Sequence, residues 1–281
     1  MKPETHIAYC SPANSTRHVA EVIKSTIIQQ SGSVHVLDLA HRDRHDEFKE
    51  RLKASAPNDC LFIGSPVYRD MAAPPMIEFL DSLPAVNGCS AALFIAWGGA
   101  FSGIALWQMG RELTRKGFNL IGGAKVLGVH SMMWSHPEPV GQGRPNADDD
   151  KAVSEFTQAI FERLSENKTH SLPLEALDYN PEAHTADLKK NLGQPWQIIP
   201  KTVDEDQCTQ CGVCEEVCPV GAIKLTDYPA FSKSCFDCFN CIRLCPEDAI
   251  GSTVPFAKIH KMIFDRVKKF NEKPHTQVFM P

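Results

Sequence analysis

The sequence predicts an α/β protein in two parts. A doubly wound, five-stranded parallel sheet occupies residues 1–165, and a smaller α+β domain lies near the C-terminus. Three observations carry this. Apolar runs of strand length alternate with helix-like segments through the first 165 residues. Those runs are nearly continuous in apolar residues, as strands buried on both faces must be. Finally, CTQCGVCEEVCPVGAI, from Cys208, returns as CFDCFNCIRLCPEDAI, from Cys235, with every cysteine, the following proline and the closing Ala-Ile in register.

The elements follow in order. THIAYC (5–10) reads as the first strand, 15–30 as a helix and VHVLDL (34–39) as the second strand. A polar helical stretch at 44–55 precedes DCLFIGSP (59–66), the third strand, and PPMIEFLDSL (74–83) is a short helix. AALFIAW (91–97) is the fourth strand, followed by a helix at 103–117. FNLIGGAKVLGVH (118–130) is the fifth strand, and the last helix of this part covers 147–165. Residues 166–199 are polar, broken by prolines and without period, and read as a connecting segment. The cysteine domain spans 200–251. In the remaining stretch, 252–281, Phe256, Ile259, Ile263, Val267 and Phe270 recur at helical steps with a basic opposite face.

With 281 residues, 43% of them hydrophobic, the chain can bury two cores, and a net charge of −5 argues against a nucleic-acid partner. MKPETHIAYC has no apolar leader, so a cytoplasmic, reducing setting is expected. Clustered cysteines in that setting read as metal ligands rather than disulfides. Residues 89–110 carry no charge over a membrane-spanning length, yet Gly98-Gly99 divides them into a strand and the start of a helix, so no membrane span is expected. Residues 201–250 hold four basic and nine acidic side chains, whereas 251–281 hold six and two. The tail helix is therefore expected to lie against the acidic cysteine domain.

Two residues between successive cysteines let three thiolates face one compact group, while the fourth, in the CxxCxxCxxxCP pattern, turns to the other group. The spacing thus assigns Cys208, Cys211, Cys214 and Cys245 to one [4Fe–4S] cluster, and Cys235, Cys238, Cys241 and Cys218 to a second. Zinc, the bland alternative, generally takes two separated CxxC pairs. Phe239 stands where the first loop has Gly212, which predicts different sulfur shielding and different potentials for the two clusters. Cys10, Cys60 and Cys89 lack metal spacing and read as buried structural residues.

The first strand runs into SPANSTRHVA. Ser11, Asn14, Ser15 and Thr16 gather hydroxyl and amide groups at a helix start, where free N–H groups favour one phosphate, although helix capping is the competing reading. Pro66, Val67 and Tyr68 end the third strand, and Trp97, Gly98 and Gly99 end the fourth. Ligands of doubly wound sheets bind where such strand ends converge. A phosphate cradle, an aromatic platform and a glycine-lined loop suit FMN.

On these residues the chain resembles the flavodoxin–ferredoxin fusion proteins, a flavodoxin-like domain followed by a two-cluster ferredoxin. The family's SPTGTT loop corresponds to Ser11-Pro12-Ala13-Asn14-Ser15-Thr16, with Ala13 and Asn14 departing from it, and its PVY segment to Pro66-Val67-Tyr68. Its Tyr-Gly turn corresponds to Trp97-Gly98, while His130-Ser131 and Gly143-Arg144-Pro145-Asn146 resemble segments flanking the last helix. The resemblance implies electron transfer between two [4Fe–4S] clusters and FMN, with redox proteins or a small-molecule acceptor as partners, in an oxygen-poor setting. The alternative is an FMN-dependent reductase of one small substrate, fed by the clusters. For that, His130, His136 and Arg144 are candidate proton donors, and Trp97, Trp107 and Trp134 candidate pocket walls. A homodimer is expected if the connecting segment keeps a chain's clusters away from its own flavin.

Overall fold

The computed structural model describes residues 3–56, 58–166 and 168–281. Strands β1 (Glu4–Tyr9), β2 (Ser33–Asp38), β3 (Cys60–Tyr68), β4 (Ser90–Trp97) and β5 (Asn119–Leu127) pair in parallel in the order 5-4-3-1-2. This is the strand order of flavodoxin-like sheets, with the reversal between β1 and β3. The period of two splits the central strands between two cores. Phe62 and Phe94 face α1 (Ser15–Gln29) and α5 (Ala147–Ser165), where Ile23, Phe156 and Ile160 cover them. Leu61, Ile63, Leu93 and Ile95 face the other way, onto α2 (His45–Lys53), α3 (Pro74–Ser82) and α4 (Ala105–Arg115).

Besides the two residues Met71–Ala72, which turn back antiparallel onto β3, the sheet has a further member that the sequence does not suggest. β6 (Gln277–Phe279), from the end of the chain, pairs antiparallel with β5 through Val278 and Ala124. The buried Lys125 side chain holds it there: its Nζ lies 2.5 Å from Glu272 Oε1, and Glu272 also accepts from the backbone N–H of Ser102 at 2.8 Å. Three residues carry too little pattern to read as a strand; a buried ion pair supplies what periodicity lacks.

Residues 166–199 are more than a connection. They carry α6 (Glu182–Lys190), Leu172 and Leu177 are buried in the core, and the N–H of Leu172 donates to the Leu120 carbonyl at 2.6 Å. The uncharged stretch at 89–110 is β4, a turn and the first half of α4. Among the described residues no helix is long and apolar enough to cross a membrane.

The cysteine segment contains two small antiparallel ladders, Lys201–Val203 with Ile250–Ser252 and Ile223–Leu225 with Pro229–Phe231. The single turns α7 (Val213–Glu216) and α8 (Asn240–Arg243) follow the two cysteine loops. The sequence repeat is also a repeat in backbone. Gln210 and Asp237, Gly212 and Phe239, and Gly221 and Asp248 all take positive φ, between 50° and 79°. A left-handed conformation costs a non-glycine residue about 1–2 kcal/mol. At Phe239 the burial of its ring, 1% exposed, offsets that cost.

α9 (Phe256–Phe270) corrects one expectation. Its apolar stripe does not lie along the acidic cysteine domain; Ile259 and Ile263 are buried against Ala100 and Met133, beyond the ends of β4 and β5. Its first residue reaches the cysteine loops, with the Phe256 ring 6.0 Å from that of Phe239. Among the described residues the ion pairs of α9 are Lys261–Asp265, within the helix, and Arg266–Asp70, to the turn after β3. Burial of two isoleucines is worth more than attraction between solvated charges, which rarely exceeds about 1 kcal/mol per pair.

Candidate functional site: a cleft at the strand ends beside two cysteine sets

A cleft opens at the C-terminal ends of β1, β3, β4 and β5. Ser11, Ala13, Ser15 and Thr16 line it from the first loop, Pro66, Val67 and Tyr68 from the second, and Trp97 and Gly98 from the third. Asn14 and Gly99 are not among its lining residues. Asn14 stands at φ 69° and caps α1 without a side-chain hydrogen bond, a left-handed position that asparagine tolerates. Gly99, at φ 78°, turns the chain where a Cβ would meet Val140 at 2.7 Å.

One buried polar group in this cleft has no partner within the described chain. Thr16 is 1% exposed, and its Oγ1 has no hydrogen-bond partner. Ser11 Oγ is engaged, accepting from the Arg17 N–H at 2.8 Å, which closes the loop onto the helix start. Gly128 completes the cradle from β5, since a Cβ there would stand 2.8 Å from Ser15 Oγ. A buried hydroxyl without a partner is costly in a finished fold, so the loop is built for an acceptor from outside the chain.

The side chains beyond the loop fall into place differently from their sequence roles. Trp97 offers no stacking face. Its ring is 2% exposed, its N–H donates to the His275 carbonyl at 2.8 Å, and Lys125 lies 5.1 Å over the ring. Trp107 carries the Arg111 and Lys189 cations on α4, and Trp134 packs on Phe256 at 4.9 Å. Neither lines the cleft. Arg144 is committed to an ion pair with buried Asp149, which caps α5. His136 packs against His260 and Phe264. His130 alone of the three candidate proton donors reaches the cleft. Its Nδ1 accepts from the Met132 N–H at 3.3 Å, leaving the proton on Nε2, and burial, aided by Arg266 and His260, pushes its pKa down to about 4. It is a neutral hydrogen-bond donor rather than an imidazolium acid.

The cysteines gather in two sets. Cys208, Cys211, Cys214 and Cys245 line one void, covered by Leu225 and Ile250. Cys211 is exposed, so this set faces outward. Cys218, Cys235 and Cys241 are the cysteines that bear electrostatically on Cys238, and three of the set, Cys218, Cys235 and Cys238, pack on the sheet's own core. This second set borders the cleft: Cys238 adds to the burial that raises both the Cys10 thiol and the Tyr68 phenol, and the Phe236 ring stands edge-on to Tyr68 at 5.3 Å. Among the described residues no three His, Cys, Asp or Glu side chains converge closely enough for a single metal ion. Four cysteines around an open void suit an inorganic cluster better.

Several contributors have no signature in the sequence. Lys201, its side chain 1% exposed, pairs with Asp237, reaches Cys235 Sγ at 3.4 Å and lies 4.9 Å over the Phe239 ring. Arg69 also pairs with Asp237, at 2.9 Å, tying the end of β3 to the second cysteine loop. Arg243, from α8, donates to the Pro12 carbonyl at 2.9 Å, and Arg42 donates to the Val220 carbonyl at 2.7 Å. These are long-range contacts of solitary charges, which no local pattern announces.

The 4Fe-4S binding domain family matches residues 201–224. Ferredoxin-2 of Chlorobaculum tepidum is 40% identical over 53 residues, which make up 16% of this chain and 86% of that protein. A component of the ion-translocating oxidoreductase complex of Methanosarcina acetivorans is 40% identical over 52 residues, 18% of this chain, and the match spans only 20% of that protein's length. Among solved structures, a flavodoxin from the domain Archaea is similar over 57% of this chain and 98% of its own, with a TM-score of 0.45 and 18% identity.

Proposed function

Since the chain belongs, through its cysteine segment, to the 4Fe-4S ferredoxin family, we propose that it is an electron-transfer flavoprotein in which two clusters and FMN form one internal path. Cys208, Cys211, Cys214 and Cys245 hold an outer cluster, and Cys218, Cys235, Cys238 and Cys241 an inner one. The first loop, through Thr16 and Ser15, holds the FMN phosphate at the start of α1. When bound, FMN exchanges one or two electrons and each cluster one at a time, so joining them links single-electron carriers to two-electron chemistry.

The observation that carries this reading is that Cys238 packs on the core cluster that holds Cys10 and Tyr68, and Tyr68 lines the cleft. The chain's own inner set thus lies beside its own flavin loops. The roles of the chain are to enclose and orient. Arg243 and Arg69 clamp the cysteine segment to the phosphate loop and to β3. Tyr68, buried and with its phenol raised by desolvation, stays protonated, and neutral His130 offers Nε2–H to the cleft. Redox proteins dock at the outer set, where Cys211 reaches the surface.

The test is anaerobic stopped-flow reduction by a reduced ferredoxin. The intact protein should hold about eight iron atoms and one flavin. Cys238→Ala should lose the inner cluster, keep FMN, and pass electrons to the outer cluster but no longer to the flavin. Flavin reduction at the wild-type rate in that variant would sink the proposed path.

A further inference from the structure

Val67, Tyr68, Gly98, His130 and Ser131 line the flavin cleft on one side and a second, larger chamber on the other, with about 450 Å³ of room for a ligand. The far wall of that chamber comes from outside the sheet: Trp196 and Ile199 before the cysteine segment, Phe236 within it, and Met262 and Lys258 on α9. A pocket for one drug-sized ligand has about 300–1,000 Å³. The chamber continues the cleft towards α9, beyond the five residues that the two share.

The roof decides what can enter. Ile259 and Ile263, 3% and 5% exposed, seat α9 on Ala100 and Met133, and Arg266 holds it to Asp70 at 2.5 Å. A protein partner is therefore kept from this side of the cleft, whereas a small molecule is not. The wall is mainly apolar, and Met262 leaves an adaptable thioether chain 52% exposed on it.

Its charges nearly cancel. Arg69 pairs with Asp237 and Arg266 with Asp70, and His130 is neutral. Lys258 remains: among the described residues no carboxylate lies within ion-pair distance of it, and it stands exposed at the rim. Apolar walls with one uncompensated ammonium at the mouth select an apolar molecule carrying a single negative group. We propose that the chamber is a second binding site, for a small apolar organic anion held beside the flavin, its body on Trp196 and Met262 and its anionic group at Lys258. This rests on the flavin reading above and adds to it the class of molecule that meets the flavin.

The probe is 8-anilinonaphthalene-1-sulfonate, measured by equilibrium dialysis against the full chain loaded with iron–sulfur clusters and FMN. One probe per chain should bind. Met262→Asp and Lys258→Glu, both exposed positions that spare the core, should each weaken binding about tenfold. Lys261→Glu, on the outer face where Lys261 pairs with Asp265, should leave it within about twofold. Raised salt should weaken binding to the wild type and not to Lys258→Glu. Displacement of the probe by FMN, one for one, would make the chamber no more than the flavin's own space and overturn the inference. So would equal binding by all three variants. A protein that retains no FMN shows its failure before any probe is added, which sinks the flavin reading and this inference with it.

Discussion

Replacing Lys201 by methionine should make the inner cluster harder to reduce while leaving the outer one unchanged. Reduction adds negative charge to the cluster, and a buried ammonium stabilises that charge. Lys201 Nζ stands 3.4 Å from Cys235 Sγ, with 1% of the side chain exposed. At an effective dielectric near 20, a unit charge at that distance is worth about 5 kcal/mol. The added electron is shared over the whole cluster, most of which lies farther from Nζ than Sγ does, so an effect of about 1–3 kcal/mol is expected. For a one-electron couple that corresponds to about 40–130 mV. Asp237→Asn removes the negative member of the same pair and should move the same potential upward. Lys201→Arg, which keeps the charge, should restore it. The assay is an anaerobic potentiometric titration read by electron paramagnetic resonance, with Cys211→Ser identifying the outer signal. If Lys201→Met kept its iron and both midpoints stayed within about 15 mV of the wild type, the assignment of this ammonium to the inner cluster would be wrong.

Three further outcomes follow from the geometry. Thr16→Val should leave the stability of the flavin-free protein within about 0.5 kcal/mol, because Oγ1 has no partner to lose, yet weaken FMN binding about 10- to 100-fold in a fluorescence titration. Lys125→Met should cost about 3–5 kcal/mol in urea denaturation by leaving the Glu272 carboxylate buried and uncompensated, and most of that loss should return in Lys125→Met/Glu272→Gln. His130 has a folded pKa near 4 against 6.5 unfolded, so between those values the unfolded chain binds the extra proton. Its contribution, about 1–3 kcal/mol, is then present above pH 6.5 and lost as pH falls towards 4. Urea midpoints at pH 7 and pH 5 should differ by less in His130→Asn, and equal differences would refute the shift.

Much of the candidate site is legible in the sequence because its signals are local. Three successive cysteines at steps of three and a proline after the fourth are set by how a chain wraps a compact group, and the doubling carries over into the backbone as paired left-handed residues. The loop at 11–16 is readable as a hydroxyl-rich helix start, and Asn14 takes the left-handed turn that its residue type allows. Trp97 departs from its expected role, since residue type places an aromatic at a strand end but cannot say which face it turns to. Its ring points to Lys125 and the returning tail, contacts made by residues 28 and 178 positions away. Arg144 has the residue type of a donor near the cleft and is instead the partner of Asp149, an acid whose capping role requires the fold around it.

By itself the sequence determined the periodic features: a parallel sheet from alternating apolar runs, and two fourfold cysteine sets from spacing. Both follow from the geometry of a few consecutive residues. Only the tertiary structure decided how the parts meet. It set Cys238 on the core that holds Tyr68, turned α9 from the acidic domain onto Ala100 and Met133, and returned β6 to the edge of β5. Each of these depends on burying particular side chains against partners far along the chain, so local pattern carries no trace of them.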